Sequence, residues 1–414
     1  MVFPGQRRDV DMPLLAVLLG CLLLAAFKVE ADTTLTGELV VEAISHPWLV
    51  ALRTMMFPIV LAIAALAAAW SLLGAELRLR LHPVSLLICA LPFYAAFRSS
   101  FEDADLALKS LQAFLLFAFL TIFIAFRRAN VSDDIVADTV AAAFSLFSLI
   151  LVCLNLMFYL GGYGYLGQNT RFFGTTVHPN FLGVQMAVCG IILLHLALIA
   201  RPILKPVAIA ALAAAVFLLV QTGSRTALVV LAGGFYLCAW RVIGFKARLA
   251  SGALLLAAVG LVLVSDLAQD NWLGVYSRGG FTDTRSAAWQ DLVRRIAKRP
   301  VLGLGVFEGA SENSLMRGWA AYGLPYFLIM SAMILAGFAS LYRASRSAQT
   351  SSAGQLVAGL FFGLILGSMF EGYLCDNMSV GIVTLVIVSS VIGAPSAPAT
   401  EDIPAALDDL AAGA

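Results

Sequence analysis

Unbroken apolar runs constrain this chain more than anything else in it. The segment 253–264 carries no polar side chain, and 111–126 carries almost none. A helix that crosses a bilayer needs about 20 such residues, and about twelve stretches approach that length. They predict spans over 11–28, 48–74, 83–98, 110–126, 135–160, 179–200, 205–222, 225–243, 248–267, 319–342, 354–371 and 378–394. The third is short, and its Pro92 suggests a kink or a partly re-entrant path. Outer-membrane barrels alternate apolar and polar residues along each strand, and these runs do not. Only 12% of residues are charged and 61% are hydrophobic, against about 25% charged in a soluble domain. The predicted fold is an all-α polytopic membrane protein.

The charges between the runs set its direction. Basic clusters recur at every second gap: Arg7/Arg8, Arg78/Arg80, Arg127/Arg128, Arg201/Lys205, Arg241/Lys246/Arg248 and Arg343/Arg346. The alternate gaps are poorer in cations, with Lys28, Arg98, Lys109, Arg171 and Arg225. Lys and Arg near short membrane loops are retained in the cytoplasm. Both termini are therefore expected inside, and a long loop over 267–319 outside. Long loops are largely exempt from the charge rule, so the arginines of this one do not contradict the assignment. The expected organisation is helices one to nine in 1–266, the external loop in 267–319, helices ten to twelve in 320–394 and a disordered cytoplasmic tail in 395–414. The first run follows Arg7/Arg8 as a signal peptide would, but the topology needs it as an uncleaved crossing.

Net charge is +1, which provides no global field for nucleic acid. The six cysteines sit in or beside apolar runs without CxxC spacing and read as small packing residues. No internal repeat of the kind that builds many transporters is visible. Gly359, Gly363 and Gly367 form a small-residue stripe in the eleventh span, read as close packing inside the bundle.

Within the loop, 284–298 predicts a helix. Asp283 or Thr284 can cap it, and Pro300 stops it. Trp289, Leu292, Val293 and Ile296 fall on one stripe. Arg285, Arg294, Arg295, Lys298 and Arg299 surround that stripe, which suits a membrane surface with anionic headgroups.

Three places bring polar groups to the outer face. The stretch 169–180 carries Arg171, His178 and Asn180. The tight turn 221–225 carries Ser224 and Arg225. The loop carries Arg278, Arg285 and the triplet Ser311, Glu312, Asn313. An arginine driven into hydrocarbon without a partner is costly, so Arg225 is expected to face a hydrated cavity or an anion. Arginine recognises phosphate with a planar, permanently charged fork. Several such groups at one leaflet suggest a lipid-linked phosphate or diphosphate. Plain structural roles stand beside these readings: Arg171 marking the interface, His178 capping a helix, and Glu312 paired with Arg317 or with an arginine of the loop.

FGTTVHPNFLG, QTGSRTALVVLAGG, TRSAAWQDLVRRIAKRPVLGLGV and SENSLMRGWAAYGLPYF occur in that order. Together they resemble the O-antigen ligase and polymerase superfamily, which includes exopolysaccharide polymerases. The resemblance covers residues 160–390, and the first four spans fit by topology alone. It implies a GT-C-like glycosyltransferase of the bacterial inner membrane, independent of metal and without a cofactor. Its substrate would be a glycan on undecaprenyl diphosphate at the periplasmic face. Membrane lipids and polysaccharide export or chain-length proteins would be its other partners. By motif, Arg225 and Arg285 are expected near the diphosphate.

Ligases of that superfamily carry a His-Asn pair before the tenth span, whereas this chain has Glu312-Asn313. The departure turns the expectation toward a polymerase that joins lipid-linked repeat units. A ligase or protein O-glycosyltransferase is the alternative within the class, and a flippase for lipid-linked sugars the alternative outside it. The expected catalytic set is Glu312 as base with Arg225 and Arg285. Arg171, His178, Asn180, Ser224, Arg278 and Asn313 are expected to bind substrate. Asp283 and Glu371 stand behind Glu312 as alternative bases.

Overall fold

The computed structural model describes residues 10–27, 47–73, 80–165, 171–176, 178–239, 252, 284–307, 313–346, 352–375 and 378–392. These residues form thirteen α-helices: α1 Met12–Phe27, α2 Pro47–Leu73, α3 Pro83–Ser99, α4 Ala104–Asn130, α5 Asp133–Leu160, α6 Pro179–Ile199, α7 Lys205–Thr222, α8 Arg225–Ala239, α9 Thr284–Lys298, α10 Ser314–Tyr322, α11 Leu324–Arg346, α12 Ser352–Ser368 and α13 Val380–Val391. Six of them, α2, α4, α5, α6, α7 and α11, contain stretches long and apolar enough to cross a membrane. α1, α3, α8, α12 and α13 are shorter apolar helices. The chain is a multi-pass, all-helical membrane protein. The predicted span over 248–267, apart from residue 252, and the tail over 395–414 lie outside the described residues.

Polar residues at the boundaries explain where several helices stop. Asp103 accepts from the Leu106 N–H and starts α4 before its apolar stretch begins. Arg127 and Arg128 in its last turn suit the negative end of the helix dipole. α4 is therefore longer than its apolar core predicts. Pro92 does not interrupt α3, which continues to Ser99.

Long-range hydrogen bonds sort the helix ends into two sets. At the lower end, Arg127 bonds Asp11 at 2.5 Å. Arg128 bonds Asp133 at 3.1 Å and the Ser390 carbonyl at 2.7 Å. Ser85 donates to the Ser389 carbonyl there at 3.0 Å. At the upper end, Gln185 near the start of α6 donates to the Ala26 carbonyl at the end of α1, at 3.0 Å. Each end gathers the helix termini that simple up-and-down alternation assigns to it. Breaking a buried ion pair by removing one partner costs about 3–5 kcal/mol, so these ties hold the lower end firmly.

The glycine stripe of α12 is filled from inside the molecule. A Cβ on Gly359 would meet Cys238 Sγ at 2.5 Å, and one on Gly363 would meet the Val230 carbonyl oxygen at 2.6 Å. α8 thus lies directly against the stripe, at a separation that any side chain would prevent.

The tenth predicted span, 319–342, is two helices. α10 ends at Gly323, whose φ is +82°, and α11 starts immediately after it. A Cβ at Gly323 would meet the Val301 carbonyl oxygen at 2.1 Å. The strap 299–307 crosses the break here and takes up its backbone groups. Leu324 N–H donates to the Pro300 and Val301 carbonyls, Leu304 N–H to Ala320 and Gly305 N–H to Ala321. Apolar composition is continuous through this point, and the sign of the break in the sequence is local, Gly323 followed by Pro325.

Candidate functional site

The upper-end polar cluster is built from four segments. The first is the turn before α6. Asn155, fully buried on α5, accepts from the Thr175 N–H at 3.0 Å and from its hydroxyl at 3.3 Å. Gly174, with φ +53°, leaves room for that amide, since a Cβ there would meet Asn155 Oδ1 at 2.1 Å. Phe172 N–H donates to the Gln221 carbonyl and fastens the same turn to the end of α7. This anchoring places Arg171 beside the turn between α7 and α8.

Arg171 and Asn180 are directly bonded. Arg171 Nε donates to the Thr222 carbonyl at 2.8 Å, and its Nη2 donates to Asn180 Oδ1 at 2.9 Å. Asn180 Nδ2 in turn donates to Glu371 Oε1 at 2.8 Å. Thr226 Oγ1 reaches the same carboxylate oxygen at 3.5 Å. The Glu371 carbonyl accepts from Ser314 Oγ at 2.7 Å. One residue after α12 is therefore tied to the first turns of α6, α8 and α10.

The remaining expected residues divide by what their side chains do. His178 Nδ1 accepts from the Asn180 N–H at 3.2 Å and caps α6. Ser224 is buried, and its Oγ accepts from the Ala227 N–H at 3.3 Å in the first turn of α8. Asn313 has φ +64° and caps α10, its Oδ1 accepting from the Met316 N–H at 3.1 Å. Arg225 is half-buried as the first residue of α8, next to Thr226. Arg285 lies in the first turn of α9, with its side chain outside the described set. Arg278, Asp283 and Glu312 lie outside the described residues.

Sequence reasoning misses two contributors. Thr226 adjoins Arg225 inside the same short motif, and that adjacency is its available signal. Arg98 reads in the sequence only as a cation in a poor gap. It is buried at the end of α3, and it donates to the Leu302 carbonyl at 2.6 Å and to Gly303 at 3.0 Å. Ser99 adds a bond to the Gly305 carbonyl at 3.0 Å. Glu102 completes this clamp by binding Arg98 at 3.3 Å and Arg299 at 3.0 Å. The hydrogen bond from Arg98 holds the Glu102 carboxyl below its ordinary value, and Arg299 adds to the effect. The clamp fixes the strap and, through it, the C-terminal end of α9.

Chemically, the cluster offers a guanidinium, an amide that bonds in both directions, a hydroxyl and a carboxylate at one end of an apolar bundle. Among the described residues, no three His, Cys, Asp or Glu side chains converge as a metal site. No protein-family model matches the chain, and no curated protein matches it.

Proposed function

We propose that this protein is a glycosyltransferase of the inner membrane that joins glycan repeat units carried on undecaprenyl diphosphate. It works at the external face, as the polymerases of the O-antigen ligase and polymerase superfamily do. The reading rests on the four ordered motifs and on one observation above all. Arg171, Asn180, Thr226 and Glu371 bond to one another where α6 and α8 begin, with Arg225 next in sequence. A cation at a helix N-terminus is opposed by the helix dipole, by about 0.3–1 kcal/mol. A bound diphosphate relieves that opposition and is favoured by the dipole as well.

In the reaction, the acceptor hydroxyl attacks C1 of the donor sugar and undecaprenyl diphosphate leaves. Charge grows on the diphosphate oxygens as the bond breaks. Fixed arginines in a water-poor site stabilise that charge without reorganising. Arg225 and Arg285 are assigned this role, and Arg171, bonded to the Thr222 carbonyl in the turn before Arg225, is assigned a share in it. Glu312, the base expected from its place in the motif, lies outside the described residues.

The test is transfer activity of purified variants in nanodiscs. Arg225→Lys keeps the charge but loses the bidentate fork, and it is expected to lose most activity at normal membrane levels. Wild-type activity in both Arg225→Ala and Arg285→Ala would remove the diphosphate role.

A further inference from the structure

We infer that Glu371 is the carboxylate that accepts the acceptor's proton, and that Asn180 is the residue that positions it; the inference rests on the glycosyl-transfer reading above. A general base must be oriented within reach of the proton it takes. Glu371 is oriented twice, through its side chain and through its backbone. Asn180 Nδ2 and Thr226 Oγ1 both donate to Oε1. Ser314 Oγ donates to the Glu371 carbonyl, and the same hydroxyl accepts from the Leu374 N–H at 3.2 Å. The carboxylate sits between the starts of three helices and is half-buried.

Other described carboxylates at this end have different engagements. Glu102 binds Arg98 and Arg299. Asp103 caps α4. Asp291 pairs with Arg295 at 2.7 Å along α9. Asp105 is exposed in the first turn of α4. Glu371 differs from them in being joined, through a single amide, to an arginine of the same cluster.

That amide couples the two halves of the reaction. Asn180 Oδ1 accepts from Arg171 while its Nδ2 donates to Glu371. One side chain therefore sets the spacing between a guanidinium that faces the leaving group and a carboxylate that faces the acceptor. In the step itself, the acceptor oxygen bonds to C1 of the donor sugar. Its proton passes to Glu371. The bond from C1 to the diphosphate oxygen breaks, and its electron pair leaves on undecaprenyl diphosphate.

The experiment uses the full chain in nanodiscs with an undecaprenyl-diphosphate-linked oligosaccharide as donor and acceptor. Glu371→Gln keeps an Oε1 that accepts from Asn180 and Thr226, so the fold is retained. Its kcat is expected to fall about a hundredfold with little change in donor KM. The acidic limb of its pH profile should flatten. Glu371→Ala should regain turnover when formate is supplied, because formate restores a carboxylate in the space left. Asn180→Ala should lower kcat less than Glu371→Gln and displace the acidic limb. Wild-type kcat in Glu371→Gln overturns the inference. So does a loss in Glu371→Ala that formate does not restore and that tracks a lowered melting temperature, since that is a structural tie. An unsubstituted protein that transfers no glycan removes the glycosyl-transfer reading, and this inference with it.

Discussion

Asn180 shows how much one side chain can specify at this site. Its carbonyl oxygen faces a guanidinium and its amino group faces a carboxylate. Asn180→Asp keeps the first bond but presents a second carboxylate to Glu371. Losing a donor to a partly buried charged group costs about 1–3 kcal/mol, so the variant should melt several degrees lower in detergent. Adding Glu371→Gln should restore the melting temperature, because the glutamine amino group can donate to the introduced aspartate. Activity should stay low in the double variant. Additive destabilisation would show that the two side chains do not interact. At this scale the sequence is only partly informative. His178, Ser224 and Asn313 precede or open helices, and a capping side chain has the same residue type as a ligand-binding one. The sequence already offers the cap at His178, whereas those of Ser224 and Asn313 become visible only with the backbone around them. Glu371 stands behind Glu312 in the sequence, because nothing in its neighbours' identities reveals that α12 ends beside α6 and α8.

Elements are legible wherever a boundary carries its own chemistry. Pro179, Lys205 and Arg225 begin α6, α7 and α8 where the pattern places them, and α9 spans the predicted 284–298. The division of α9's apolar stripe is not legible. Leu292 is buried against its neighbours, while Trp289 and Val293 are exposed at 36% and 54%. Val301 and Leu302 on the strap continue that exposed ridge. Arg98 fixes them beside α3, whose Phe97 is exposed, as is Phe101 just beyond it. The ridge is expected to enter the membrane surface, so brominated lipids should quench Trp289 fluorescence in a variant that keeps this tryptophan alone. Quenching no greater than for free tryptophan would place the ridge in water. The strap also carries a pH dependence. The Glu102 carboxyl is held below its ordinary value of 4.5. The unfolded state therefore takes up the proton first as pH falls, and the clamp's contribution is full above that value. It is lost as pH drops through the lowered folded value. Hydrogen exchange at Gly303 and Gly305 should accelerate in that range, and Glu102→Gln should remove the dependence. Within the bundle, Gly363→Leu should destabilise by at least about 1–3 kcal/mol, the usual cost of overpacking, measured by thermal melting.

For the whole molecule, the alternation of basic clusters anticipates the two-ended arrangement. Arg127, Arg128 and Arg343 gather at the lower end, and Arg98 and Arg171 lie at the upper one. Apolar length marks the crossings but runs on through the break at Gly323, which only Gly323 and Pro325 mark in the sequence and which contacts with the distant strap hold. The orientation has a direct check in a background where the exposed Cys153 is replaced by alanine. A cysteine at exposed Ser100 should be labelled in intact spheroplasts, and one at exposed Ser345 only after permeabilisation. The reverse pattern would put the Arg171–Asn180–Glu371 cluster in the cytoplasm. The central claim is glycosyl transfer, and reconstitution tests it most directly. The purified protein is placed in liposomes with undecaprenyl-diphosphate-linked repeat units, and the products are separated by length. A ladder whose rungs differ by one repeat unit is the expected result. Repeat units that cross the bilayer, or stay as supplied, without any new glycosidic bond would contradict it.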